Sequence, residues 1–165
     1  MDEAQELSNI INEYGWAVQV NVAEINRPMF AYTVGLSDKR YPELLVFGSV
    51  PPRVMMNVLN SVADMFVASG EAICGDMYAV LPKLPVRLRE IDVDTFNTYG
   101  VLAEYWAGNH TYPIRRAVQV LLPDKNGRFP GIDPDYAWED VPLLQEAELN
   151  ILDGFAKILK QPFFH

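Results

Sequence analysis

The chain reads as a single α+β domain, a mostly antiparallel sheet of about five or six strands covered by two or three helices. Three observations predict this. Half of the 165 residues are apolar, which at this length supplies one substantial core without a disulfide or metal. The hydrophobic period changes repeatedly between helical and strand spacing. No internal repeat and no linker rich in Gly, Ser or Pro divides the chain, so one domain covers 1–165.

The elements follow in order. Leu7, Ile10, Ile11 and Tyr14 recur at steps of three and four, Asp2 and Glu3 suit a positive helix end, and Gly15 suits its stop, giving a helix over 2–14. Trp16, Val18, Val20 and Val22 then alternate with smaller or polar residues, the pattern of a half-buried strand. Met29 to Leu36 is nearly continuous in apolar, β-prone residues and reads as an interior strand; after the turn at Ser37-Asp38-Lys39-Arg40, Glu43 to Gly48 pairs with it as a hairpin. A helix follows, with Ser49 or Val50 near its cap and proline in its first turn. Its stripe is Val54, Met55, Val58, Leu59, Val62, Met65 and Phe66, and Gly70 ends it.

Met77 to Leu81 and Val86 to Ile91 read as strands, the second carrying Arg87 and Arg89 on one solvated face that could also serve an anion. Asp92 caps a helix running to about Ala107 through Phe96, Tyr99, Ala103 and Trp106, with Gly100 inside it at a cost of about 1 kcal/mol. Arg115 to Leu122 is the last strand, followed by the turn Pro123 to Pro130 with its Asn126-Gly127 signal. From 131 onward the chain is acidic, and Leu144, Ile151, Phe155, Ile158 and Leu159 predict a C-terminal helical extension.

The chemistry is bounded by what these residue types permit. With 13 Lys plus Arg against 22 Asp plus Glu, a net charge of −9 disfavours nucleic acid as a partner. No uninterrupted apolar run is long enough for a membrane span, and the acidic start is unlike a signal peptide, so no membrane partner and a cytoplasmic location are expected. Cys74 is the sole cysteine and reads as a small buried apolar residue rather than a nucleophile. Two histidines, His110 and His165, are too few for the usual zinc sites, and Asp133-Pro134-Asp135 lacks the rest of a calcium loop, so no metal and no cofactor are expected. The glycine fingerprint of dinucleotide sites, the phosphate loop and the nucleophile elbow are absent.

What stands out is polar residues set inside apolar strands: Tyr32 and Thr33 within Phe30 to Leu36, Glu43 opening the next strand, Arg115 with Arg116 opening the last and Gln119 between Val118 and Val120. Where buried, each must find a partner, either in a network such as Arg116 with Glu43 that sets strand register or in a pocket on which they converge; the alternative is plain exposure on one sheet face.

Four strings carry a family resemblance: Gly15-Trp16-Ala17-Val18, Phe30-Ala31-Tyr32-Thr33-Val34-Gly35-Leu36, Pro42-Glu43-Leu44-Leu45-Val46 with Gly48, and Gln119 with Pro123-Asp124 and Gly127-Arg128-Phe129-Pro130. Over about 15–130 the chain resembles the bacterial and phage family termed domain of unknown function 4262. It departs from that pattern at Tyr41, where a histidine commonly precedes Pro-Glu, and at Gly131, where an aromatic residue often follows. The resemblance implies no reaction and no catalytic residue.

The binding set expected is therefore Tyr32, Thr33, Tyr41, Glu43, Arg116 and Gln119, in a module for a small molecule or a protein partner. Two alternatives stand beside it. One is a cofactor-free hydrolase or transferase using His110 or a carboxylate pair; the other is a phage-encoded inhibitor presenting its acidic face to a basic host protein. An exposed strand or Phe163-Phe164 leaves room for a homodimer.

Overall fold

Among the residues that the computed structural model describes, 2–22, 28–109, 112–137 and 141–147, the strand-patterned segments form one six-stranded sheet. Its strands are β1 (Ala17–Asn21), β2 (Phe30–Val34), β3 (Glu43–Phe47), β4 (Gly75–Met77), β5 (Val86–Ile91) and β6 (Ala117–Leu121), in the spatial order β1-β2-β3-β6-β5-β4. Every pairing is antiparallel except β3 with β6, which run parallel with Glu43 beside Ala117. Four α-helices complete the α+β architecture: α1 (Glu3–Tyr14), α2 (Pro52–Ser69), α3 (Val93–Tyr99) and α4 (Val101–Gly108).

Both faces of the sheet are covered, which is why β2, β3 and β6 are apolar almost throughout. On one face α2 lays Met55, Val58, Leu59, Val62, Ala63 and Phe66 against Ala31, Leu44, Val46, Leu88, Val118 and Val120. On the other, Ile11, Phe96, Ala103 and Trp106 from the remaining helices pack on Tyr32, Val34, Leu45, Phe47 and Ala117. A fully buried side chain of this size contributes roughly 1.5–3 kcal/mol, so the two layers carry the stability of the fold. The α1 boundaries follow from capping: the Asp2 carboxylate accepts from Gln5 N–H at 2.7 Å, and Gly15 ends the helix at φ 98°.

Several local expectations are corrected. The segment 92–107 is two helices, because the backbone breaks at Gly100 (φ −85°, ψ 53°). The strand expected over Met77 to Leu81 lies at Gly75–Met77 instead, and Ala79 adopts a positive φ of 71° that a strand excludes. Helix α2 begins at Pro52 with neither Ser49 nor Val50 capping it, and Met65 is exposed, its place in the stripe taken by Ala63. Leu144 sits in a non-helical segment, 141–147, that crosses β5 and β6; the remainder of the expected C-terminal helix lies outside the described residues.

The break at Gly100 has a packing cause. A Cβ there would lie 2.6 Å from two ring carbons of Phe96, itself fully buried under the sheet. Gly100→Ala is expected to lower the unfolding free energy by about 1–3 kcal/mol through overpacking. In a continuous exposed helix the same change would instead gain about 1 kcal/mol. Urea unfolding of the two proteins reads the sign directly.

Candidate functional site

Glu43 opens β3 with its side chain fully out of water, and the chain wraps five donors around it. Oε1 accepts from Thr33 Oγ1 at 2.8 Å and Leu36 N at 3.1 Å. Oε2 accepts from Gly35 N at 3.1 Å, Ser37 N at 3.3 Å and Ser37 Oγ at 3.0 Å. Three consecutive backbone N–H groups can converge this way because Gly35 takes φ 102° and turns the chain into a short 3-10 turn, Leu36–Lys39. Every donor is neutral. Burial therefore dominates and pushes the carboxyl up to about 7, while the hydrogen bonds from Thr33, Ser37 and Gly35 pull the other way.

The expected network between Arg116 and Glu43 is not formed. Arg116 Nε donates to Glu90 Oε1 at 2.9 Å across β5, and its Nη2 also reaches Ala72 O. Strand order explains this: β6 lies between β3 and β5, and Arg116, just ahead of β6, turns its side chain toward Glu90. Only main chain links Arg116 to Glu43, the Glu43 N–H donating to Arg116 O at 3.2 Å.

A cleft of about 250 Å³ lies where the chain enters these two parallel strands. It is lined by Ser37, Arg40 and Tyr41 ahead of β3, and by Tyr112, Pro113, Arg115 and Arg116 ahead of β6. The parallel register of Glu43 with Ala117 brings the two approach segments side by side. Arg40 Nη2 donates to Tyr112 Oη at 2.9 Å, and its guanidinium lies 4.7 Å from the centre of that ring. Arg40 also holds φ 66°, closing the 3-10 turn with N–H bonds to Leu36 O and Ser37 O. An arginine pays roughly 1–2 kcal/mol there that glycine would not. Tyr41 packs its ring near-parallel to Phe66 at 6.4 Å. Arg115 is exposed and has no hydrogen-bond or ion-pair partner among the described residues.

The candidate set thus divides. Tyr41 and Arg116 line the cleft, Glu43 and Thr33 lie beneath it through Ser37, and Tyr32 and Gln119 lie elsewhere. Tyr32 Oη accepts from Leu102 N at 3.2 Å, standing in for the side-chain cap that Gly100 cannot supply to α4. Gln119 acts as a backbone mimic, donating to Pro142 O at 2.7 Å and accepting from Leu144 N at 3.0 Å to tie 141–147 to the sheet. Ser37, Arg40, Tyr112, Pro113 and Arg115 were not in the expected set. Their sequence setting is turn, loop or strand entry, and only the β3–β6 pairing brings them together.

Other expectations resolve locally. Arg87 pairs with Asp76 at 2.7 Å and lies over Phe129, while Arg89 pairs with Glu146 and donates to Leu144 O, so neither offers a free anion patch. Cys74 is exposed, not buried, and partial desolvation with the nearby Glu90 charge raises its thiol, which opposes thiolate formation. Asp133 Oδ2 accepts from Phe129 N, and no group of three or more metal-ligating side chains occurs among the described residues. No helix among them is long and apolar enough to cross a membrane. His110 lies outside the described residues.

The model of the family described as "Domain of unknown function (DUF4262)" matches residues 10–136. The chain belongs to this family. The matched span takes in the whole sheet, the Glu43 nest and the cleft, so the DUF4262 domain carries both features. No curated protein and no solved structure matches the chain.

Two outcomes test the site's construction. Glu43 binds its proton more tightly in the folded state than at its ordinary value of 4.5. Its contribution to stability is therefore complete below about pH 4.5 and is lost as pH rises through about 7, a change of about 3 kcal/mol. Urea unfolding at pH 5 and pH 8 should give the lower stability at pH 8, and Glu43→Gln should remove that difference. Tyr32→Phe should cost about 1 kcal/mol by orphaning an amide, with amide hydrogen exchange accelerated at Leu102.

Proposed function

We propose that this DUF4262 chain is a cytoplasmic binding module for a small organic anion, a carboxylate on a flat, unsaturated body, held in the cleft at the entry to β3 and β6. The observation that carries this reading is the convergence of Arg40, Arg115 and Arg116 on one cleft of a protein whose net charge is −9. Glu90 compensates only Arg116. Arg115 is left to meet a ligand, and a guanidinium fork suits a carboxylate held by two parallel bonds. The Tyr41 and Tyr112 rings offer apolar faces beside the charges. A volume of about 250 Å³ falls just under the range of sites for drug-sized ligands, which favours a compact metabolite.

The non-glycine αL conformation of Arg40 supports the same reading. Glycine would close that turn at lower cost, so what the arginine adds is its side chain, aimed over Tyr112 at the cleft. The test is calorimetric titration with benzoate, which carries both the carboxylate and the flat ring. Wild type should bind it. Arg115→Ala should weaken binding by about tenfold or more while leaving the unfolding midpoint of the free protein unchanged, because Arg115 holds nothing else among the described residues. Absence of benzoate binding by the wild type would overturn the proposal.

A further inference from the structure

The cleft and the buried carboxylate share one residue. Ser37 lines the cleft, and its Oγ donates to Glu43 Oε2 at 3.0 Å. A carboxylate that takes up a proton becomes a donor and needs an acceptor at that oxygen. Of the five groups around Glu43, three are backbone N–H groups, which cannot accept. Thr33 Oγ1 already accepts from Leu44 N at 2.8 Å while donating to Oε1, so its orientation is set from both sides. Ser37 Oγ has no donor to it among the described residues. It has both lone pairs open and is the hydroxyl of the two that lines the cleft: protonated Oε2 donates to Ser37 Oγ, and the hydroxyl turns its own hydrogen out of the nest, toward the cleft.

We propose that capture of an organic anion in the arginine cleft is linked to proton uptake by Glu43, the Ser37 hydroxyl reversing its hydrogen bond from the carboxylate to the bound anion. This rests on the anion-binding reading above and adds its regulation. Two charge effects act in the same direction as the hydrogen bond. An anion in the cleft disfavours a second negative charge beneath it, and losing the Glu43 charge strengthens the field of the arginines on the ligand.

The groups on the surrounding elements do not replace this link. Thr33 of β2 and Ser37 of the 3-10 turn are neutral donors. Asp38 on that turn accepts from Trp106 Nε1 at 2.7 Å, and Lys39 is exposed at its end. Arg40, Arg115 and Arg116 belong to the cleft, and the Glu90 carboxylate of β5 is held by Arg116. Tyr32 and Cys74 have raised values, out of the range between pH 6 and 8. His110 stands two residues ahead of Tyr112 in sequence, so its replacement serves as the control below.

The experiment is titration with benzoate at pH 6 and pH 8, at constant ionic strength, in two buffers of different protonation enthalpy. Benzoate stays ionised at both values. Wild type is expected to bind roughly five- to tenfold more tightly at pH 6, and to take up as much as about one proton per ligand at pH 8, where Glu43 starts ionised, against little at pH 6. Ser37→Ala should still bind through the arginines but lose most of the pH dependence, and His110→Gln should keep it. Equal wild-type affinity at both pH values, a dependence of undiminished size in Ser37→Ala, or one that vanishes in His110→Gln would each overturn the linkage and leave the anion site standing. No binding at either pH would overturn the anion site itself and the linkage with it.

Discussion

Glu43 is a carboxylate removed from water and answered only by neutral donors, and the geometry around it follows from that requirement. Leaving such a group without hydrogen bonds would cost several kcal/mol. The chain supplies them by turning sharply at Gly35 so that the N–H groups of 35, 36 and 37 face inward. That turn ends β2, sets the 3-10 turn and delivers Arg40 and Tyr41 to the start of β3. The same turn is tied to the opposite layer, where Trp106 of α4 donates to Asp38. A change at Glu43 therefore acts on a strand junction, a cleft wall and a helix contact together. A salt bridge would not serve equally, because a guanidinium inside the nest would occupy the space that the backbone donors fill.

The parallel pairing of β3 and β6 is the second constraint. In an antiparallel sheet, the segment entering one strand lies beside the segment leaving its neighbour. Here two entering segments lie together, and both carry arginine and tyrosine. The charge of each is handled differently: Arg116 is answered by Glu90, Arg40 is stacked on Tyr112, and Arg115 stands open. This gradation gives two of the arginines a structural partner and leaves the third without one among the described residues.

Much of the architecture was legible because binary patterning states it directly. The Phe30 to Leu36 and Glu43 to Gly48 runs have strand composition and a short intervening turn, and they pair as a hairpin; Asp2, Gly15 and Gly70 carry their capping roles in their chemistry alone. The importance of Thr33 and Glu43 was also legible, since polar side chains inside apolar strands must be answered. Which group answers them was not. Arg116 and Glu43 have complementary charges, but the choice of Glu90 depends on strand order, a property of the whole sheet. The break at Gly100 is tertiary too, for helix propensity records the cost of glycine but not the Phe96 ring that excludes a side chain. Tyr32 and Gln119 satisfied the expectation that buried polar groups find partners, and did so in helix capping and segment docking rather than in a pocket.

The overall charge of the chain shapes what an anion-binding cleft can be. A net charge of −9 repels an approaching anion at long range, but at physiological ionic strength that repulsion is screened beyond about 8 Å. Steering therefore contributes nothing favourable to the encounter, and recognition rests on contacts made inside the cleft. There the guanidinium groups lie next to the Tyr41 and Tyr112 rings. A cleft lined by three arginines in a chain of net charge −9 also discriminates by charge. A compact anion can place its whole charge among the arginines, whereas a polyanion such as a nucleic acid would meet the net negative charge of the chain with the rest of its phosphates. The composition that argues against nucleic acid is in this way the same feature that supports the proposal of a small ligand.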